Sequence, residues 1–270
     1  MTSAQKIIKY LALAFAIFLC VSIIGGIIGG ITFVSGLLSD EEPAGQMQVY
    51  SVDGEISSLS LKLSAAELKI KSGDQFSVES NHKYISVKVE KGRLCIDETK
   101  RFFSVSPKGI SVILTVPDGF VFHDATVDTG AGKVEIDVLS ADELDLSLGA
   151  GEAIINTLIA GIRADIDGGA GALTIQGGLL TNLDLDMGVG KLTLKSRILG
   201  DSKLDYGVGQ TDLTLLGSRE DYQIQIDKGL GDARLEGEPM QDDAVYGSGK
   251  NQIEIDGGIG AINITFASGV

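Results

Sequence analysis

Seven Gly-x-Gly triplets recur down the second half of the chain, and they constrain the fold more than any other feature. They are Gly130-Ala131-Gly132, Gly149-Ala150-Gly151, Gly169-Ala170-Gly171, Gly188-Val189-Gly190, Gly207-Val208-Gly209, Gly229-Leu230-Gly231 and Gly258-Ile259-Gly260, separated by 19, 20, 19, 19, 22 and 29 residues. A period near 20 marks an architecture in which each repeat buries its apolar face against the next.

The residues around each triplet choose between helix and strand. Two residues after the second glycine stand Val134, Ala153, Leu173, Leu192, Thr211, Ala233 and Ile262; two further on stand Ile136, Ile155, Ile175, Leu194, Leu213, Leu235 and Ile264. Three residues before the first glycine stand Val127, Leu146, Ile166, Leu185, Leu204, Ile226 and Ile255. Apolar positions two apart put alternate side chains on one face, which is a strand signature. Each repeat therefore reads as strand, Gly-x-Gly turn, strand, second turn. Two strands in about 20 residues leave no room for a crossover helix. Because like residues recur column by column, the expected fold is all-β, a parallel β-solenoid of two-strand rungs, in preference to serial antiparallel hairpins. The glycines supply turn dihedrals closed to other residues.

Upstream the pattern loosens. Leu59–Ile70 keeps the strand-turn-strand layout, with Ser64 and Ala66 in place of the glycines. Residues 46–123 read as an irregular, strand-rich cap on a solenoid of residues 124–270, since an open solenoid end invites pairing with other chains. The stretch from Glu238 to Gln252 reads as a loop excursion from one rung, and Phe266 as a plug over the last.

The first forty residues carry a location signal. No charged residue occurs from Tyr10 to Ser39, a run of 30 positions. That is long enough for a membrane-spanning helix. Lys6 and Lys9 precede it and Asp40, Glu41 and Glu42 follow, so the expected order is a cytoplasmic tail (1–9), a transmembrane signal anchor (10–38), a linker (39–45) and an extracytoplasmic remainder. The localisation expected is thus a single-pass cell-membrane protein with the bilayer as a partner through residues 10–38. A cleaved signal peptide is the rival reading, although its apolar region is normally shorter. Gly25, Gly26, Gly29 and Gly30 form two overlapping G-x-x-x-G pairs, a spacing that lets two helices approach and would support a homodimer.

Past Ser39 the chain holds 20 basic against 37 acidic residues, net −17. That charge repels nucleic acid, which is excluded as a partner. Cys20 lies in the apolar run and Cys95 in a strand, so no internal disulfide is expected.

Candidate chemistry is sparse. An aspartate stands two residues before six of the seven triplets: Asp128, Asp167, Asp186, Asp205, Asp227 and Asp256, with Ser147 in the remaining one. Stacked carboxylates repel unless something offsets the charge. Either each accepts hydrogen bonds from the neighbouring Gly-x-Gly amides, or Ca²⁺ sits between rungs on a ladder of Asp167, Asp186, Asp205 and Asp227. Ser147 favours the first answer, because a hydroxyl accepts the same bond but is a poor calcium ligand. One basic-aromatic patch, Lys100, Arg101, Phe102 and Phe103 with Lys108, stands out from the acidic background as an interaction site, or as a hairpin loop whose rings turn inward. The two histidines, His82 and His123, neighbour no nucleophile motif, no P-loop occurs, and Gly-x-Gly never opens a helix. No catalytic residue and no cofactor is expected.

Leu61–Ile70, the strand Val112–Pro117 running into Pro117-Asp118-Gly119, and the serial Asp-x-Gly-x-Gly repeats resemble the bacterial "putative adhesin" family, a domain of unknown function on cell surfaces. The resemblance spans about residues 46–266. It implies a β-solenoid and an envelope location, and brings no catalytic residues. The expected function is a non-enzymatic surface module that binds an envelope polymer or protein, or senses envelope state. The alternative is a glycan-acting hydrolase or lyase on a β-helix scaffold, which would need two close carboxylates in a cleft.

Overall fold

The structure is a computed structural model that describes residues 45–98 and 109–268. Two compact units divide the chain, and the described residues all fall in the one formed by Ala44–Arg101 with Lys108–Val270.

Strand follows strand along this unit. The first seven are β1 (Gln48–Tyr50), β2 (Ser58–Ala65), β3 (Glu67–Gly73), β4 (Ser77–Ser80), β5 (Ile85–Glu90), β6 (Arg93–Glu98) and β7 (Ser111–Pro117). Next comes β8 (Phe122–Asp167), an unbroken run of 46 residues. It is followed by β9 (Ala170–Ile175), β10 (Gly178–Thr181), β11 (Leu183–Leu199) and β12 (Asp201–Leu216). A single 3₁₀ turn, Arg219–Asp221, leads to β13 (Tyr222–Asp227), β14 (Asp232–Leu235), β15 (Glu238–Pro239), β16 (Ala244–Gly247) and β17 (Asn251–Ala267).

Five of the seven Gly-x-Gly triplets bend strands without ending them; those at Gly169 and Gly229 fall at the breaks between β8 and β9 and between β13 and β14. In β11, Leu183, Leu185 and Met187 point inward before the triplet; Leu192, Leu194, Ser196 and Ile198 do so after it. The inward set moves from odd to even positions, so the triplet adds one residue to the alternation and turns a corner, as a bulge does. Glycine is required there by close approach. A Cβ on Gly190, whose φ is +141°, would lie 1.8 Å from the carbonyl oxygen of Gly171 in the layer beneath.

Layers stack in parallel register, with Leu185 on Leu204, Gly190 on Gly209 and Leu194 on Leu213. Their inward side chains form one continuous core running from Leu59 and Leu61 through Ile166, Leu185 and Leu204 to Ile264. Each fully buried leucine or isoleucine contributes roughly 1.5–3 kcal/mol.

Layer order departs from chain order at both ends. β17 pairs along its length with β12 on one side and with β13 and β14 on the other, so the last strand is inserted under the two before it. Near the other end β2 lies between β6 and β8, and β3 between β7 and β8. Antiparallel strands then cover the outermost layers: β5 on β6, β4 on β7 and β1 on β4 at one end, β16 on β13 and β15 on β14 at the other.

These observations correct the expected fold class. The all-β reading stands, but the strands form one 17-stranded mixed sheet closed as a narrow barrel, not a uniform parallel solenoid of two-strand rungs. Five of the seven corner triplets lie inside strands, and antiparallel pairs finish both ends. Among the described residues no helix is long and apolar enough to cross a membrane, which stands against the transmembrane helix in that fold class and the single-pass localisation expected with it. Residues 10–38 and the glycines Gly25, Gly26, Gly29 and Gly30 lie outside the described residues. Glu238 to Gln252, expected as a plain loop, carries β15 and β16. Phe266 stacks on Tyr222 at 5.9 Å, within the β17 layer and not over the last one.

Candidate binding face

The strand arm that enters each corner bears the residues of interest. Its inward positions are aliphatic, so the intervening side chains must point to solvent. Register stacks them into two outward rows. One runs Asp167, Asp186, Asp205, Asp256, Asp227, each paired with the next across neighbouring strands. The second, two residues earlier, runs Asp165, Asp184, Lys203, Glu254, Gln225 by the same pairings. Asp128 and Ser147 occupy the first row's position in β8, where Lys62 of β2 pairs with Asp128. The sequence-derived ladder is thus assembled, with one change of order: Asp256, from β17, separates Asp205 from Asp227.

Neighbouring strands are about 4.8 Å apart, so adjacent carboxylates feel each other. Burial, then the charges of Asp205 and Asp184, hold the Asp186 carboxyl above its usual range. Asp145 is raised likewise, by burial first and then by Asp165 and Asp128. Two cations offset part of the repulsion. Lys203 ties two layers together, with Nζ 2.8 Å from Asp205 and 3.3 Å from Asp256, and these hydrogen bonds raise its own pKa. Arg163 pairs with Asp165 at 2.8 Å. Asp205 Oδ1 is sheltered from water without a donor among the described residues.

Turn capping occurs at two positions. Asp167 Oδ1 accepts from the Gly169 amide at 2.9 Å, and Asp227 Oδ1 accepts from the Gly229 amide at 2.9 Å. Both glycines are left-handed, at φ +54° and +58°. These are also the two corners at which the strand breaks, between β8 and β9 and between β13 and β14. Asp186, Asp205 and Asp256 sit before regular corners and face one another instead. As for metal, no group of three or more His, Cys, Asp or Glu side chains among the described residues is arranged to hold an ion.

The arm that leaves each corner differs in charge. Glu135 is paired with Lys133 at 2.7 Å and with Lys69 at 3.5 Å. Asp212 is held below the usual range because hydrogen bonds from Asn263 and Gln210, and then the Lys191 charge, outweigh its burial. The middle residues of the triplets form an apolar crest between the two arms, with Val189 on Val208 and Val208 on Ile259. Gly130, Gly132, Gly149, Gly151, Gly169, Gly171, Gly188, Gly190, Gly207 and Gly209 all lie on this crest. A cavity beside it, lined by Thr129, Val134, Leu148, Glu152 and the adjoining glycines, measures about 20 Å³. That is room for one water molecule and not for a sugar ring.

Two features escaped the sequence reading. The first is Lys203 as the cation inside the acidic face, signalled only by its offset of two from Asp205. The second is a buried pair in the N-terminal part: His82 Nε2 lies 3.1 Å from Glu98 Oε1, while His82 Nδ1 accepts from the Tyr84 amide at 3.1 Å. With Nδ1 occupied by a backbone donor, the ring presents no free lone pair to a substrate. The patch Lys100, Arg101, Phe102, Phe103 and Lys108 lies outside the described residues.

No protein-family profile matches the chain, and neither does any curated protein. Solved structures do. The chain is similar to a putative cell adhesion protein from Clostridium sporogenes, 17% identical over 82% of this chain and 99% of that one, with a TM-score of 0.36. It is similar to a putative adhesin from Bacteroides fragilis, 11% identical over 81% of this chain and 95% of that one, TM-score 0.35. A third, a putative adhesin from Parabacteroides distasonis, is 14% identical over 82% of this chain and 98% of that one, TM-score 0.31.

Proposed function

We propose that this chain is a non-enzymatic binding module of the adhesin type, which engages an extended polymer or protein along its acidic face. The observation that supports the reading is the pair of registered rows from Asp165 and Asp167 to Gln225 and Asp227. Side chains repeated at one strand spacing on an open face offer many equivalent contacts to an extended partner. A glycosidase needs the opposite arrangement, two distinct carboxyls flanking one bond in a cleft. Here burial first, and then the charges of row neighbours, raise Asp145 and Asp186, with no second carboxyl set apart across a cleft, and the nearby cavity admits only water. A partner that suits this face carries spaced cations or hydrogen-bond donors, since the chain's net charge of −15 repels polyanions.

The test is sedimentation of the protein with insoluble cell-wall polymer at physiological salt, set against the double variant Asp184→Asn, Asp186→Asn. Saturable binding that weakens about tenfold in the variant is expected, because two central contacts lose their charge. Release of soluble sugar from the polymer, abolished by one of the two substitutions alone, would refute the reading in favour of a hydrolase or lyase.

A further inference from the structure

His82 lies in the turn of residues 81–84, between β4 and β5, and its side chain is only 4% exposed. Both ring nitrogens are engaged. Nδ1 accepts from the Tyr84 amide at 3.1 Å, so the proton of the neutral ring sits on Nε2 and is donated to Glu98 Oε1, also at 3.1 Å. The other carboxylate oxygen of Glu98 accepts from the Ser64 amide at 2.7 Å, at the corner between β2 and β3. Among the described residues the titratable groups that face the ring are Glu98, from β6, and Tyr84, whose own ring stands edge-on at 6.0 Å. Lys83, beside it on the turn, is exposed. From β2, β4 and β7 the groups that meet this turn are the Ser64 amide, Ser80 and Ser111, none of them charged.

The same turn fastens neighbouring segments. The His82 amide donates to Ser80 Oγ at 3.0 Å, and that hydroxyl donates to the Ser111 carbonyl at 2.9 Å. Asn81 Nδ2 donates to the Gly109 carbonyl at 2.8 Å, and its Oδ1 accepts from the Ser111 amide at 2.8 Å. The Asn81 carbonyl accepts from the Gly45 amide at 3.1 Å. The conformation of four residues thus sets how the chain approaches both β1 and β7.

This arrangement accommodates one protonation state of the ring. A second ring proton can go only to Nδ1, whose lone pair the Tyr84 amide occupies, and two N–H groups would then oppose each other in a buried site. The contact with Glu98 does not suffer, because Nε2–H is present in both forms and the bond gains from charge. Glu98 is buried, yet the Ser64 amide and His82 hold it below the usual carboxylate range, so it stays ionised where an imidazole ordinarily titrates. One side of the ring therefore holds while the other lets go. We infer that His82 is a proton-driven switch: on acidification its ring stays on Glu98, the Tyr84 amide is expelled, and the turn of residues 81–84 changes conformation while the strands around it remain paired. The switch lies away from the acidic rows and stands or falls independently of the binding role proposed above.

The test is amide hydrogen exchange of the full-length chain, read residue by residue by NMR at about pH 7.5 and about pH 5.5, on either side of an ordinary imidazole titration. Each rate is divided by that of an unfolded chain at the same pH. Protection of the Tyr84 amide is expected to fall about tenfold between the two, while the Ser64 amide, bonded to Glu98, keeps its protection within about twofold. His82→Asn is the control, because its side-chain carbonyl accepts from the Tyr84 amide as in an Asx turn and does not titrate. In that variant Tyr84 is expected to be equally protected at both pH values. Three results overturn the inference. One is a parent Tyr84 amide whose protection is absent at the higher pH or unchanged at the lower, which needs no variant to be read. The second is an equal loss at Ser64, which reports general acid opening. The third is a His82→Asn chain that loses Tyr84 protection as the parent does, which places the sensor elsewhere.

Discussion

Replacing Gly190 by alanine tests the registered stacking most directly. The new Cβ would stand 1.8 Å from the Gly171 carbonyl oxygen, against 3.4 Å or more for an ordinary contact. The obstacle is backbone of the adjoining layer, which has no rotamer to change. Either the layers part by more than an ångström, or the corner refolds. Parting would stretch the ladder around Val189, whose amide donates to Gly169 at 3.1 Å. Positive φ costs about 1–3 kcal/mol in a non-glycine residue. Overpacking adds about 1–3 kcal/mol, and each weakened hydrogen bond about 1 kcal/mol. The expected loss is about 4 kcal/mol, or a melting temperature lower by about 10 °C. Gly119→Ala is the control, because Gly119 has φ +71° but open space where its Cβ would go. That variant should lose only about 1 kcal/mol, the conformational part. Urea unfolding followed by far-ultraviolet circular dichroism measures both. If Gly190→Ala costs no more than Gly119→Ala, the close approach of successive corners is wrong, and the registered stack with it.

Two further outcomes follow from the titrating groups. Because the folded-state pKa of Asp186 is raised above 3.8, its charge opposes folding as pH rises through that shifted value; Asp186→Asn is expected to unfold at a higher urea midpoint than the parent at pH 7, with the advantage gone below about pH 3. Glu98 has the opposite sign: burial alone would raise it, but the Ser64 amide and His82 bonds hold it below 4.5, so its contribution is present above that pH and fades as pH falls through the lowered value. Glu98→Ala is expected to cost about 2 kcal/mol at neutral pH, and a pH titration of stability should show that loss shrinking on the acid side.

The strands and the buried columns were legible because apolar residues at a spacing of two leave little choice. Every residue of the first inward column, Val127 to Ile255, is buried. The corner geometry was half legible. Glycine at both outer triplet positions signals unusual backbone, but composition does not say whether the chain reverses there or bends and continues. The decisive fact is the carbonyl of the next layer where a Cβ would stand, and that belongs to a residue some 19 positions away. For the acidic face, the row could be read from the offset of two before each triplet, while the partner of each carboxylate could not. Asp167 and Asp227 accept from the amides of left-handed Gly169 and Gly229, at the two corners where the strand breaks. Asp205 keeps regular spacing and meets Lys203 instead. The backbone at each corner thus separates a turn cap from an ion pair, and the triplet spacing does not show which.

Repeat length also carries no information about layer order, and this is why the ends were misread. Asn251–Ala267 matches the column pattern as well facing β12 as facing β13 and β14, since the same aliphatic residues fill every layer. What separates the alternatives is the edge left over. Were the layers in chain order, β17 would finish the barrel as a strand of 17 residues with neither proline nor an antiparallel cover. Inserted beneath β13 and β14, its edges are paired on both sides, and the exposed rim passes to the short strands β15 and β16, which carry the proline, the acids and the kinks. The same logic holds at the other end, where β6 and β7 take the outer layer and receive β5 and β4 as covers. There the covering continues to β1, which pairs with β4. The out-of-order closure therefore leaves the long inner strands paired on both sides, and among the described residues only the short strands β1, β5, β15 and β16 are paired on one side.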